Sequence, residues 1–316
     1  MCIICEYKGA NLDGRPVLDC NRCQNITEIP VVTGVKILVC HGCINLRKIP
    51  IIDGLEELIC SNCPNLEDIP VIEGLKELIC DYCTGLTKIP VVKGLRYLNC
   101  SGCTNLTEIP IIPGLRTLNC SGCTRMLEIP VIPGLRKLNC SQRTNLAEIP
   151  VIQGLKVLYC YSCPILTKIP VIDGLKELHC ANCRNLENIP IIEGMELLFC
   201  YDCPEIIKLP MVSSLEKLIC TGCTRITHIP NQKKLKYLIC EQCKWINHPN
   251  NPKYKTNIEK LMVLQRWYRK ICLSNKLLKI IPILEEIFYS PYSRGAKMAC
   301  ESFYRTSICS IPIVLS

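Results

Sequence analysis

The sequence predicts an α/β-type repeat solenoid, in which one short strand recurs every twenty residues and stacks in parallel on the next. Three observations carry this. From about Cys20 to Cys243 one phrase returns in register, seen whole in Gly54-Leu-Glu-Glu-Leu-Ile-Cys60-Ser-Asn-Cys63-Pro-Asn-Leu-Glu-Asp-Ile-Pro70 and again from Gly74, Gly94, Gly114, Gly134, Gly154 and Gly174. A fixed short period means units that bury their apolar face only against their neighbours. Within each unit Leu58 and Cys60 alternate with Glu57, Ile59 and Ser61, the period of a strand with one buried face. A proline then follows in every unit, from Pro30 to Pro230, and forbids a helix on the return leg.

Each remaining position has a physical reason. Leu55 and Leu66 add inward apolar bulk before and after the strand. Ile69 precedes Pro70 and is pushed to extended geometry, so the return leg is expected to be extended or polyproline-like. Gly54 and its equivalents free the turn back into the strand. Strand spacing of about 4.8 Å makes the rungs from Cys40 to Cys240 a sheet on the order of 50 Å long.

The phrase Leu55-x-x-Leu58-x-Cys60-x-x-Cys63 resembles the core of the leucine-rich repeat, Leu-x-x-Leu-x-Leu-x-x-Asn/Cys. The short period and Ile69-Pro70 resemble the bacterial-effector subtype, and the paired cysteines are similar to leucine-rich repeat proteins of mimivirus-like giant viruses of amoebae. The resemblance implies a horseshoe with a parallel concave sheet and a polyproline-like convex side. It implies no enzyme activity. Its ends are degenerate: Arg15 stands where Leu is expected, and Ser214 and Lys234 replace the turn glycine. Residues 1–14 are therefore read as an N-terminal cap, 15–249 as about twelve repeats, and 250–316 as a separate basic helical tail or cap beyond His248-Pro-Asn-Asn-Pro252.

There are 28 cysteines, and 22 of them form eleven Cys-x-x-Cys pairs from Cys20/Cys23 to Cys240/Cys243. Paired cysteines suggest zinc. Here, however, they recur at the repeat period and so form two columns along the spine. The first column takes an inward strand position, and the second takes the place where the family often has Asn. Cysteine suits both as a small buried hydrophobe with a weak donor. One pair is broken, because position 143 is Arg, and a buried Arg must reach solvent or a carbonyl. These pairs are therefore read as structural thiols, with no metal and no cofactor. A Cys-rich metal-binding protein is kept as an alternative.

The start Met1-Cys-Ile-Ile-Cys-Glu6 lacks the basic and apolar regions of a secretory signal, and no run approaches a membrane span. A cytoplasmic location is expected, the host cytoplasm if the chain is viral.

Function is sought on the outward strand positions. One column reads Asn99, Asn119, Asn139, Tyr159, His179, Phe199, and the next reads Ser101, Ser121, Ser141, Tyr161, Ala181, Tyr201. In a chain with 3 Phe and 2 Trp, the grouping of Tyr159, Tyr161, His179, Phe199 and Tyr201 beside the Asn stretch marks a candidate protein-binding face. The bland reading is that the rings only cover the sheet. A basic column of Lys36, Lys76, Arg96, Arg116, Arg136, Lys156, Lys176 and Lys236, interrupted by Glu56, Glu196 and Glu216, runs beside it and suits an acidic partner or a plain solvated edge.

Residues 1–250 hold 26 basic and 24 acidic side chains, too balanced for a nucleic-acid clamp. The tail holds 11 and 4, and so carries +7 of the net +9. Its segment Leu264-Gln-Arg-Trp-Tyr-Arg-Lys270 partly resembles the calmodulin-binding IQ motif, but Lys270 stands at that motif's glycine and Ser274 at its last basic position. The second alternative is thus an adaptor whose basic tail binds calmodulin, membrane or nucleic acid. The 4 histidines are scattered, and no phosphate loop or nucleophile elbow is present. The expectation is a non-enzymatic scaffold with a protein partner on the concave face.

Overall fold

A computed structural model describes residues 2–7, 12–226, 229–230, 232 and 234–240. It shows a short helix α1 (Ile3–Tyr7) followed by twelve three-residue strands, from β1 (Val17–Asp19) to β12 (Tyr237–Ile239). The strands form one parallel sheet in sequence order. The register never slips: Leu18 pairs with Leu38, Leu38 with Leu58, and Leu218 with Leu238. A one-residue slip would turn the Leu and Cys columns to the outside, so the pattern fixes the pairing. The rung of Arg15, read from sequence as a degenerate end, still provides strand β1 paired with β2 (Ile37–Val39).

Among the described residues the return legs contain no helix, as the prolines require. Adjacent legs touch through parallel bridges at Glu28–Lys48 and Lys168–Asn188. The core is a spine. In the central rungs Leu55, Leu58, Cys60, Cys63, Leu66, Ile69 and Ile72 are all buried, and their equivalents stack above and below them. The boundary at residues 248–252, the tail helix, the IQ-like segment, Cys243, His228 and His248 lie outside the described residues.

The two cysteine columns have distinct jobs. In nine rungs the second thiol donates to the backbone carbonyl of the first cysteine one rung back, as in Cys63 to Cys40 at 3.1 Å, Cys103 to Cys80 at 3.1 Å and Cys223 to Cys200 at 2.8 Å. To reach it, the chain between the two cysteines turns through a left-handed residue. That residue is glycine at Gly122 (φ 69°) but Asn62 (φ 54°) and Tyr82 (φ 57°) elsewhere. Three residues after that left-handed position, Asn45, Asn65, Asn105 and Asn145 donate their amides to carbonyls of the preceding turn. The first-column thiols are packed away from water, and burial pushes Cys140, Cys160 and Cys180 well above the ordinary thiol range.

Arg143 breaks the ladder. It is fully buried rather than directed to solvent. One guanidinium nitrogen, Nη2, donates to the Met126 carbonyl, while Nε and Nη1 have no hydrogen-bond partner among the described residues. An uncompensated buried cation costs more than the thiol it replaces. We expect Arg143→Cys to stabilise the protein by about 2 kcal/mol or more, read as a rise in the urea midpoint at unchanged m-value. An unchanged or lower midpoint would show that the cation is satisfied where it lies.

Candidate partner-binding face

The sheet positions its outward side chains by the same alternation that builds the spine. In β8 (Val157–Tyr159), β9 (Glu177–His179) and β10 (Leu197–Phe199) the central leucine is buried and the flanking residues are half-buried. The structure brings Tyr159, His179 and Phe199 into one continuous stack. The Tyr159 and His179 rings lie 4.3 Å apart at 25°, and the His179 and Phe199 rings 4.6 Å apart at 16°. In-register pairing at strand spacing makes such face-to-face stacking the natural arrangement of rings in one column.

The second column is less uniform than strand alternation suggests. Tyr161 is half-buried and Tyr201 is exposed. Between them Ala181 is buried, and so are Ser61, Ser121 and Ser141 on other rungs. Small residues here sink between their neighbours, and the Ser141 hydroxyl accepts the Tyr161 backbone N–H at 3.2 Å. Folding therefore constrains this column at those positions, although strand alternation turns it outward.

The Asn stretch is also partly structural. The side-chain carbonyls of Asn99, Asn119 and Asn139 accept the backbone N–H two residues on, at 3.2, 3.2 and 3.1 Å. This local ring holds each side chain against its turn and leaves its NH2 pointing to other acceptors. Asn99 uses that NH2 on Asp81 at 3.3 Å.

Where the Asn stretch meets the aromatics there is a shallow cleft of about 270 Å³, lined by Tyr97, Thr117, Leu118, Asn119, Lys137, Asn139, Tyr159 and Tyr161. It joins four of the sequence-predicted residues, Asn119, Asn139, Tyr159 and Tyr161. His179, Phe199, Tyr201 and Asn99 lie outside its lining. Tyr97 and Lys137 were missed. They occupy the first outward position of β5 (Tyr97–Asn99) and β7 (Lys137–Asn139), which the same alternation turns to that face. The Lys137 ammonium sits 5.3 Å from the Tyr159 ring centre, within cation–π range.

The basic column divides into paired and unpaired parts. Glu56 bridges Lys36 and Lys76, Glu196 pairs with Lys176 at 2.7 Å, and Glu216 with Lys236 at 3.2 Å. Among the described residues no carboxylate pairs with Arg96, Arg116 or Arg136, which stand on the rungs of Asn99, Asn119 and Asn139. A further unanticipated feature lies on the return leg. Val31, Ile51, Val71, Val91, Ile111, Val131, Val151, Val171, Ile191 and Met211, each following the repeat proline, are all exposed. The sequence shows them as a hydrophobic position, but only the structure shows that Ile52 and its equivalents, one residue on, take the inward place.

No family model and no curated protein matches the chain. Among solved structures it is similar to a leucine-rich repeat protein from Bacteroides ovatus, at 14% identity and a TM-score of 0.36 over 74% of this chain and 82% of that one. It is also similar to a leucine-rich repeat protein from Eubacterium ventriosum, at 16% identity and a TM-score of 0.39 over 73% and 82%. A third likeness is to a leucine-rich cell surface protein from Faecalibacterium prausnitzii, at 16% identity and a TM-score of 0.30 over 66% and 80%. At these scores the likeness adds nothing to the fold that the twelve-stranded sheet shows by itself. Among the described residues no helix is long and apolar enough to cross a membrane.

His179 gives the face a pH signature. Burial between two rings lowers its pKa below the ordinary 6.5, and this outweighs the raising effect of Glu177, whose carboxylate lies 3.7 Å from Nε2. The unfolded chain therefore binds the proton more readily than the folded one. The stabilising contribution is present above about pH 6.5 and is lost as the pH falls through and below it. We expect urea stability to decline between about pH 7 and 5 with a component that His179→Phe removes. An identical pH profile in that variant would assign the dependence elsewhere.

Proposed function

We propose that the chain is a non-enzymatic protein-binding scaffold whose outward sheet face is the concave side of a leucine-rich-repeat horseshoe. The observation that carries this is the cleft at the junction of the two side-chain classes. Asn119 and Asn139 offer amide donors, Tyr97, Tyr159 and Tyr161 offer rings with a polar edge, and Arg96, Arg116 and Arg136 supply charge that no carboxylate among the described residues pairs. Aromatic anchors inside a polar and charged rim are the composition of binding hot spots. The partner that fits is a protein segment with an apolar or aromatic side chain for the cleft and acidic side chains for the arginines.

The same reading takes the return leg as the polyproline-like convex side and residues 250–316 as a cap or second binding element. The described cysteines are free thiols, which suits a reducing compartment such as cytoplasm.

The test is affinity capture with the full-length chain, followed by binding measurements on the captured partner. Tyr159→Ala is expected to weaken binding by about 2 kcal/mol or more. Because Tyr159 stacks on His179, it should also lower stability by about 1 kcal/mol. Arg116→Glu should slow association and steepen no salt dependence, since it removes an attractive charge. Unaltered affinity in both variants, with only the stability loss in the first, would mean that the rings merely shield the sheet.

A further inference from the structure

The N-terminal end of the solenoid carries a thiol cluster that belongs to neither spine column. Cys2, Cys5 and Cys23 place their sulfur atoms within 4.8 Å of one another, and Cys5 Sγ lies 3.4 Å from Cys23 Sγ. Cys2 and Cys5 are half-buried and Cys23 is buried. Cys2 and Cys5 are three residues apart across the start of α1, so they share one side of that turn, while Ile4 is buried in the core.

Two independent features separate this trio from the structural thiols. The other second-column thiols from Cys43 to Cys223 donate to a carbonyl of the preceding rung. Cys23 stands on the first rung and has no preceding rung, and its sulfur meets another thiol instead. The pair Cys2-x-x-Cys5 is also out of register: Cys5 precedes Cys23 by 18 residues rather than twenty, so packing into the columns does not account for it.

The dimensions suit a thiophilic ion. Zinc–sulfur bonds of about 2.3 Å in a tetrahedron set sulfur atoms ~3.8 Å apart, between the 3.4 Å contact and the 4.8 Å limit of the trio. Cys20 stays out, its thiol donating to the Val39 carbonyl at 3.5 Å. The site therefore offers three sulfurs and one open position.

We propose that Cys2, Cys5 and Cys23 bind zinc(II), with water in the fourth position, as a clip that fastens α1 over the open end of the solenoid. Binding converts three thiols to thiolates and releases three protons to solvent per ion, with no change in oxidation state. A stacked array needs a cap on its terminal rung, and the clip ties the cap to the first turn.

The test uses the reduced, chelator-stripped full-length chain, titrated with cobalt(II) as a spectroscopic probe and then with zinc(II). One equivalent should bind with thiolate-to-cobalt charge-transfer absorption, zinc should displace it, and zinc should raise the unfolding midpoint. Cys2→Ser/Cys5→Ser, at half-buried positions, should abolish both the uptake and the midpoint shift, whereas Cys183→Ser in the spine should keep them. Cys2→His, which retains a ligand, should keep the equivalent while losing about a third of the charge-transfer intensity. No uptake by the reduced chain would overturn the assignment, as would undiminished uptake in the double Ser variant or charge-transfer intensity unchanged in Cys2→His.

Discussion

At the end of each strand a backbone carbonyl is buried in the spine, and it cannot be left without a donor. The carbonyls of Cys40, Cys60, Cys80, Cys140, Cys160, Cys180 and Cys200 face this problem, whereas those of Cys20 and Cys100 also accept the N–H of Cys23 and Cys103 at 3.3 Å, and Arg143 stands where the thiol for Cys120 would be. The next rung solves it with a thiol. An unsatisfied buried carbonyl costs about 1–3 kcal/mol, so each rung depends on its neighbour for more than apolar contact. Cysteine meets a double demand that few side chains can. It must be small and apolar enough to sit among Leu66 and Ile69, and it must carry one donor. The ladder also locks the twenty-residue period, since a shorter or longer turn would misplace the sulfur. Arg143 shows the same constraint from the other side: its cation finds one carbonyl and strands two nitrogens.

The spine takes most of its stability from inward residues, so the outward face varies more from rung to rung, and its variation is organised. On either side of the middle, charges pair across rungs, as with Glu56 between Lys36 and Lys76 and Glu216 beside Lys236. In the middle Arg96, Arg116 and Arg136, without a carboxylate partner among the described residues, lie beside an Asn ladder. Beyond them three rings stack. Binding and shielding are not exclusive roles for that stack. In the proposed binding role, rings already locked against each other would lose little further side-chain freedom, which lowers the entropic cost of binding. Burial of His179 within the stack keeps it neutral near pH 7, so the stack behaves as an apolar surface there.

The solenoid was legible in the sequence because its two periods are strict. Alternation placed Leu58 and Cys60 inward, the glycine and proline positions placed the turns, and twenty-residue repetition did the rest. Four things were not legible. The depth of an outward position depends on its neighbours' bulk, so Ser141 and Ala181 are buried where strand alternation alone puts them outside. The cleft depends on Tyr97 and Lys137 meeting Tyr159 across rungs, which is a matter of side-chain direction. The Cys2, Cys5 and Cys23 cluster is hidden by the repeat itself, because Cys2 and Cys5 follow no register. The exposed Val and Ile stripe of the return leg was visible as an apolar position but not as a surface.

The central claim is that the second-column thiol is a hydrogen-bond donor and not merely a filler. The most direct measurement compares Cys103→Val with Cys180→Val by urea unfolding. Cys103 donates to the Cys80 carbonyl at 3.1 Å, whereas Cys180 is a first-column thiol held by burial. The account predicts that Cys103→Val loses about 1–3 kcal/mol from the orphaned carbonyl, while Cys180→Val changes stability by less than about 1.5 kcal/mol, as a size-conserving apolar exchange does. Equal effects in the two variants, or a Cys103→Val protein as stable as the parent, would contradict it.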